Sequence, residues 1–226
     1  MNRDDAKRLA ASAALELLPI EGVVGLGSGS TAQIFIEGVG KLVREGRNLR
    51  GVPTSEASRI QAERLGIPLL DDAGPWAIDV CVDGADEVSE SLDLIKGGGG
   101  CHTREKIVNA SSKKNVIVVD DSKLSQRLGE KWPVPIEVLP FGHRATVAAL
   151  SRFGRVELRT KDAAPWMTDA GNFLYDLHAG ILADPGDLEA RLALLPGVVD
   201  TGLFVGRAAL VLVAGEGGVR RLPHNA

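Results

Sequence analysis

The stretch VVGLGSGSTA, residues 23–32, decides how the rest of the chain is read. A short apolar run enters a glycine-rich turn, and an apparent helix follows in which Ile34, Phe35, Val39, Leu42 and Val43 recur at helical spacing. Strand, tight turn and helix make the first half of a βαβ unit. The pattern repeats outward. LRGVPTS (49–55) reads as a strand, and SEASRIQAERLG (55–66) as a helix with Ser55 as N-cap and Gly66 as stop. IDVCVDGADE (78–87) is a strand running into a polar turn, TREKIVNASSK (103–113) a helix, and NVIVVDDSK (115–123) a strand. Upstream, residues 3–19 form an expected amphipathic helix with Ala6, Leu9, Ala10, Ala13 and Leu17 on one face. Strands that alternate with helices and are apolar throughout belong to a parallel sheet covered on both faces. The expected class is α/β, with a Rossmann-like, doubly wound, mostly parallel sheet.

After Pro133 the pattern changes. VPIEVLP (134–140) is a strand, HRATVAALSRFG (143–154) a helix, RVELRT (155–160) and NFLYDLHA (172–179) two strands. DPGDLEARLALLPG (184–197) is a helix with Asp184 as N-cap and Pro185 in its first turn, and VVDTGLF (198–204) a last strand. The order β-α-β-β-α-β is the ferredoxin-like arrangement. The expected division is a Rossmann-like catalytic domain over 1–130 and a small α+β domain over 131–205. The strand-forming tail 206–226 is expected to return to the first domain.

Composition narrows the function. Net charge is 26 − 30 = −4 with no basic block, which argues against nucleic acid and anionic membrane as partners. No stretch approaches the roughly 20 apolar residues of a membrane span. The first twenty residues do not read as a secretory signal, because Asp4 and Asp5 stand where a basic region belongs and Glu16 interrupts the apolar run. Cys81 and Cys101 supply neither a disulfide framework nor a zinc set, so a reducing, cytoplasmic home is expected.

Four loops follow apolar strands, at the edge where open α/β sheets bind ligands. They are GSGSTA, VDGADE, KGGGG with the following TRE, and DDSK. The first formally matches a dinucleotide fingerprint through Gly27, Gly29 and Ala32, but the acidic residue expected after the next strand is missing, and no Lys-Ser/Thr makes it a Walker loop. Ser28, Gly29, Ser30 and Thr31 at a helix N-terminus suit one phosphate or carboxylate; helix capping by Ser30 or Thr31 is the competing reading. Asp83, Gly84, Ala85 and Asp86 read as a substrate-contacting turn, in competition with a plain Asx turn or a cation loop whose further ligands are absent. Lys96 precedes Gly97, Gly98 and Gly99, where backbone without side chains can approach a ligand; a solvated linker is the alternative. Thr103 is a candidate cap, and Glu105 lies in the first turn of the helix that follows. Lys123 is either a further cation near a ligand or a surface lysine. Cys101 and His102 lack the paired spacing of a metal site.

The ordered set GLGSGSTA, VDGADEV, IKGGGG with TREKIV, and VDDSKL resembles the motifs of the type A ribose-5-phosphate isomerases, across about residues 20–125. PVPIEVLP and PGVVDTGLF extend the likeness to the second domain. The departure is Gly100-Cys101-His102, where the family more usually has small or apolar residues. The resemblance implies interconversion of ribose 5-phosphate and ribulose 5-phosphate in the non-oxidative pentose phosphate pathway, through an enediolate, with neither metal nor cofactor. It implies Glu105 as the base, and Lys96 with the amides of Gly97–Gly99 as the oxyanion contact. Asp83 and Asp86 would orient the hydroxyls and open the ring. The phosphate would lie on Ser28–Thr31, with Lys123 nearby. It also implies a homo-oligomer, dimer or tetramer. The alternatives are a sugar-phosphate sensor, for which no basic helix-turn-helix precedes the sheet, and a related deaminase or acyl-transfer enzyme, against which the DGADE and KGGG-TRE combination speaks.

Overall fold

The computed structural model describes residues 2–223, so residues 1 and 224–226 of the expected domain bounds lie outside the described residues. In chain order the elements are α1 (Arg3–Leu15), β1 (Glu21–Leu26), α2 (Ser30–Arg44), β2 (Asn48–Pro53), α3 (Glu56–Arg64), β3 (Val80–Asp83), β4 (Glu87–Val88), β5 (Leu94–Ile95) and α4 (His102–Ala110). Then come β6 (Asn115–Asp120), a 3₁₀ turn (Asp121–Lys123), β7 (Val134–Val138), α5 (His143–Leu150), β8 (Arg155–Leu158), β9 (Thr160–Lys161) and β10 (Ala164–Pro165). The last are β11 (Phe173–His178), α6 (Pro185–Ala193), β12 (Val198–Thr201), β13 (Leu203–Phe204), β14 (Leu210–Gly215) and β15 (Gly218–Leu222). They group into two compact units interleaved in sequence: Met1–Ala85, Arg104–Lys123 and Arg207–Ala226 form the first, Asp86–Thr103 and Leu124–Gly206 the second.

The first unit is built on a six-stranded sheet in the order β15-β14-β6-β3-β1-β2. Every pairing is parallel except that of β15 with β14. The four inner strands, β14, β6, β3 and β1, are largely apolar because both faces are covered, whereas the edge strands β2 and β15 carry exposed polar residues. Val24, Leu26, Val80, Val82, Val116, Val118, Leu210 and Leu212 pack into one core with α1 and α2, while Val23 and Cys81, one residue out of step, pack with Val52, Ile78 and Val108 of α4 into another. Asn2 caps α1 by accepting from the Asp5 amide, and Ser55 caps α3 by accepting from the Ser58 amide. Helix α1 ends at Leu15, earlier than the periodicity predicts, because Pro19 follows and disfavours helical backbone before it. Its buried face is Ala6, Ala10, Ala11 and Ala14, small residues that allow close approach, and Leu9 is exposed.

The second unit holds a four-stranded antiparallel sheet, β12-β7-β11-β8, whose strands are linked through α5 and α6 in the β-α-β-β-α-β order. Asp184 caps α6 by accepting from the Asp187 amide, with Pro185 at the first position. From the sequence, the glycine run is expected after a strand of the parallel sheet. Instead Leu94–Ile95 pairs antiparallel with both β4 and β13 in a separate three-stranded sheet of this unit. Two residues are too few to show a periodicity that tells one sheet from another.

Glu87 in β4 is fully buried, and its carboxylate accepts from the backbone amides of Gly129, Glu130, Lys131 and Trp132 at 3.0–3.2 Å. A segment with no strand partner thus has its N–H groups satisfied by one side chain. Replacing Glu87 by Leu strands these donors and is expected to lower unfolding free energy by about 3 kcal/mol or more. Urea denaturation of the variant beside the parent protein measures it, and an unchanged midpoint would show the carboxylate to be dispensable.

Candidate active site

Within the first unit, three of the singled-out segments lie at the C-terminal ends of β1, β3 and β6. Gly27 continues from β1, its amide donating to the Val82 carbonyl at 3.0 Å. A Cβ on Gly27 would lie 2.3 Å from Asp83 Oδ1 and 2.6 Å from the Asp83 Cα, so only glycine lets the two loops touch. Asp83 is 3% exposed, and its Oδ1 accepts from the Ser28 amide at 2.9 Å and the Gly84 amide at 2.8 Å. One carboxylate oxygen therefore joins the turn after β1 to the turn after β3.

Beneath this junction lies a set of hydroxyls. Ser28 Oγ is 2.7 Å from Thr54 Oγ1, and Thr54 Oγ1 donates to the Leu26 carbonyl at 3.1 Å. Ser58 Oγ donates to the Gly27 carbonyl at 2.6 Å and accepts from Ser55 Oγ at 2.9 Å. Thr54, Ser55 and Ser58 are buried, so the space an acidic ribose ligand would occupy in a dinucleotide fold is filled by hydroxyls that hold the loop. Ser58 was not singled out from sequence; its place on the buried face of a short polar helix gives no periodic signal.

Helix α2 starts at Ser30 with Gly29 as its N-cap, and no side chain caps it. Gly29 has φ 88° and ψ 177°, a conformation essentially confined to glycine. The capping reading of Ser30 and Thr31 is thereby removed. The helix terminus presents its amides and the positive end of its dipole, a fit for one anionic group. Lys123, half-buried, ends the 3₁₀ turn that follows β6.

Glu105 lies in the first turn of α4 and is 5% exposed. Its neighbour Arg104 pairs with Glu56 of α3 at 3.1 Å, and Glu56 also binds Arg59 at 2.8 Å. The Arg59 and then the Arg104 hydrogen bonds hold the Glu56 carboxyl below the usual carboxylate range. This pair steadies the start of α4 from within the first unit. Thr103 is not the cap of α4: it lies inside the helix, and its hydroxyl donates to Glu137.

The second unit carries the other singled-out residues. Lys96 is 4% exposed, its amide donates to the Gly202 carbonyl at 2.8 Å, and its Nζ lies 5.4 Å from the centre of the Phe204 ring. Gly97–Gly100 is a tight turn closed by the Gly100 amide on the Gly97 carbonyl at 2.9 Å. It is not a slack linker. Gly97 has φ 104°, and a Cβ there would lie 2.7 Å from Nδ1 of the buried His102. Asp86 Oδ2 accepts from the Gly98 amide at 2.7 Å, so of the three expected amide donors this one is already engaged. Glu137, also buried, accepts from Thr103, from Thr168 at 2.8 Å and from Asn172 at 2.7 Å. Among the described residues no helix is long and apolar enough to cross a membrane.

The model of the family "Ribose 5-phosphate isomerase A (phosphoriboisomerase A)" matches residues 50–218. Ribose-5-phosphate isomerase A of Gloeobacter violaceus is 46% identical, covering 100% of this chain and 99% of its own. The Rhodopseudomonas palustris protein of that name is 45% identical, covering 98% and 99%. Among solved structures, ribose 5-phosphate isomerase A from Methanocaldococcus jannaschii superposes with a TM-score of 0.93 at 41% identity, covering 97% of this chain and 98% of its own. A D-ribose-5-phosphate isomerase in complex with phospho-erythronic acid gives 0.94 at 39%, covering 98% and 99%.

The contact between Gly27 and Asp83 makes a direct prediction. Gly27→Ala forces the two loops apart and is expected to cost about 1–3 kcal/mol, the usual range for overpacking. Amide exchange at Ser28 and Gly84 should accelerate together in that variant. Protection left intact at both amides would show that Asp83 does not hold the loops.

Proposed function

The chain belongs to the ribose 5-phosphate isomerase A family and is an enzyme that interconverts D-ribose 5-phosphate and D-ribulose 5-phosphate, and we propose that the Glu105 carboxylate carries the proton between C2 and C1. The observation that supports this role is a carboxylate only 5% exposed in the first turn of α4, directly after the glycine turn and His102 in sequence. An aldose–ketose interconversion moves one proton between adjacent carbons of the same face, so one base that takes it and gives it back suffices.

Removing the C2 proton places negative charge on the carbonyl oxygen. Lys96, a cation almost withdrawn from water, and the amides of Gly97 and Gly99 are the donors we assign to it, while the Gly98 amide is held by Asp86 and fixes the turn. Asp83 and Asp86 orient the sugar hydroxyls and open the furanose: a carboxylate takes the proton of the C1 hydroxyl and returns it to the ring oxygen as the bond from C1 to that oxygen breaks; Asp86 has one oxygen on the glycine turn. Ser28, Gly29, Ser30 and Thr31 bind the phosphate at the N-terminus of α2, and Gly84 and Ala85 line the sugar. Lys123 adds a positive charge for the phosphate. Binding the phosphate away from the reacting carbons contributes orientation rather than chemistry.

In this assignment the positive charge opposite the enediolate comes from a lysine and peptide dipoles, and no metal or cofactor takes part. The cytoplasm and a homo-oligomeric state complete the reading. The latter is supported by exposed apolar side chains on the second unit: Phe141 is 95% exposed and Leu194 82%, and Leu139 and Val199 are also exposed.

Glu105→Gln keeps the size and hydrogen-bonding shape of the side chain and removes the base. Turnover is expected to fall by at least ~10²-fold, with KM little changed. Near-normal turnover in that variant would place the base elsewhere. Activity should also survive prolonged dialysis against EDTA; loss that magnesium restores would overturn the metal-free assignment.

A further inference from the structure

The geometry points to Arg159 as a positioning residue for the isomerisation, setting the direction in which the glycine turn presents its peptide N–H groups. The inference rests on the reading of that turn as the oxyanion contact, and it names a residue outside the four motif loops. Arg159 follows β8, and its side chain is 13% exposed. Its Nη1 donates to the Gly97 carbonyl at 2.8 Å and to the Gly98 carbonyl at 3.0 Å. On its other edge, Nε donates to Asp176 Oδ2 at 2.9 Å and Nη2 to Asp176 Oδ1. The guanidinium also lies 5.6 Å from the centre of the Trp166 ring. Arg159 is itself held through its own backbone: its amide donates to the Leu174 carbonyl at 2.8 Å, and its carbonyl accepts from the Trp166 amide at 2.9 Å.

The consequence for the turn follows from peptide geometry. The C=O of one residue and the N–H of the next share a plane and point opposite ways. The peptide joining Gly97 to Gly98 is held at both ends, its carbonyl on Arg159 and Gly100 and its N–H on Asp86. The peptide joining Gly98 to Gly99 has its carbonyl on Arg159, so the Gly99 N–H is aimed away from the arginine. Gly99 is exposed, with nothing within 4 Å of where a Cβ would sit. Glycines unconstrained by side chains would otherwise sample many peptide orientations. Arg159 removes that freedom before substrate arrives, which is what makes a backbone donor effective in a transition state. A lysine cannot replace it, because only the guanidinium fork reaches two carbonyls with one nitrogen and a carboxylate with the others.

The test compares Arg159→Ala, Arg159→Lys and Asp176→Asn with the parent full-length enzyme. For Arg159→Ala, kcat is expected to fall about 10²-fold, the low end of the range for a lost oxyanion donor, with KM changed by less than about threefold. Affinity for phospho-erythronic acid, whose carboxylate presents two oxygens as an enediolate does, should fall in the same variant. Arg159→Lys should remain impaired, Asp176→Asn should show a smaller loss confined to kcat, and millimolar guanidinium should restore activity to Arg159→Ala. A folded Arg159→Ala enzyme with kcat within threefold of the parent overturns the inference. So does a loss that merely follows the folded fraction by circular dichroism and is not rescued by guanidinium, or an Asp176→Asn enzyme with unchanged kcat should Arg159→Ala fail to fold. Lys96→Ala tests the underlying reading by itself: full activity there removes the oxyanion assignment, whereas impairment there with an unimpaired Arg159→Ala removes only the role of Arg159.

Discussion

A backbone N–H in a loop has no ladder to pair with, and in this molecule buried and half-buried carboxylates take the ladder's place. Asp83 joins two loops of the first unit through the amides of Ser28 and Gly84. Asp86 and Glu87 do the same in the second, on Gly98 and on the segment Gly129–Trp132. Glu137 adds a side-chain version of the device with Thr103, Thr168 and Asn172. An ionised carboxylate accepts several hydrogen bonds and is costly to bury without them, so each of these contacts fixes both partners. The loops held in this way gain supports without belonging to long regular elements.

The DGADE motif shows how compact such a device can be. Asp83 and Asp86 lie three residues apart, yet Asp83 belongs to the first unit and Asp86 to the second. Helix α4 has the same property, with Thr103 in the second unit and Arg104 in the first.

The α/β class was legible because buried parallel strands have a signature that needs no partner to be seen: apolar runs separated by glycine turns and capped helices. The caps Ser55 and Asp184 were read directly, since capping is local chemistry. What sequence hid is what depends on distant pairing. Leu94–Ile95 looked like any apolar pair before a turn, and only its pairing with β4 and β13 separates it from the large sheet. Thr103 looked like a cap until Glu137, 34 residues away, claimed its hydroxyl. Arg159 gives no signal at all, being one arginine just past a short strand, because its meaning lies in two carbonyls 61 and 62 residues distant.

The crowding around the glycine run sorts its members by how far they can be redesigned. A side chain at Gly97 meets His102 and at Gly98 the Asp86 carboxylate, while Gly97 and Gly100 both hold backbone angles that suit glycine. Gly99 alone in the run has open space and no such angle. Randomising all four positions would therefore break the turn at three of them. A side chain placed at position 99 would project from the turn without disturbing its backbone.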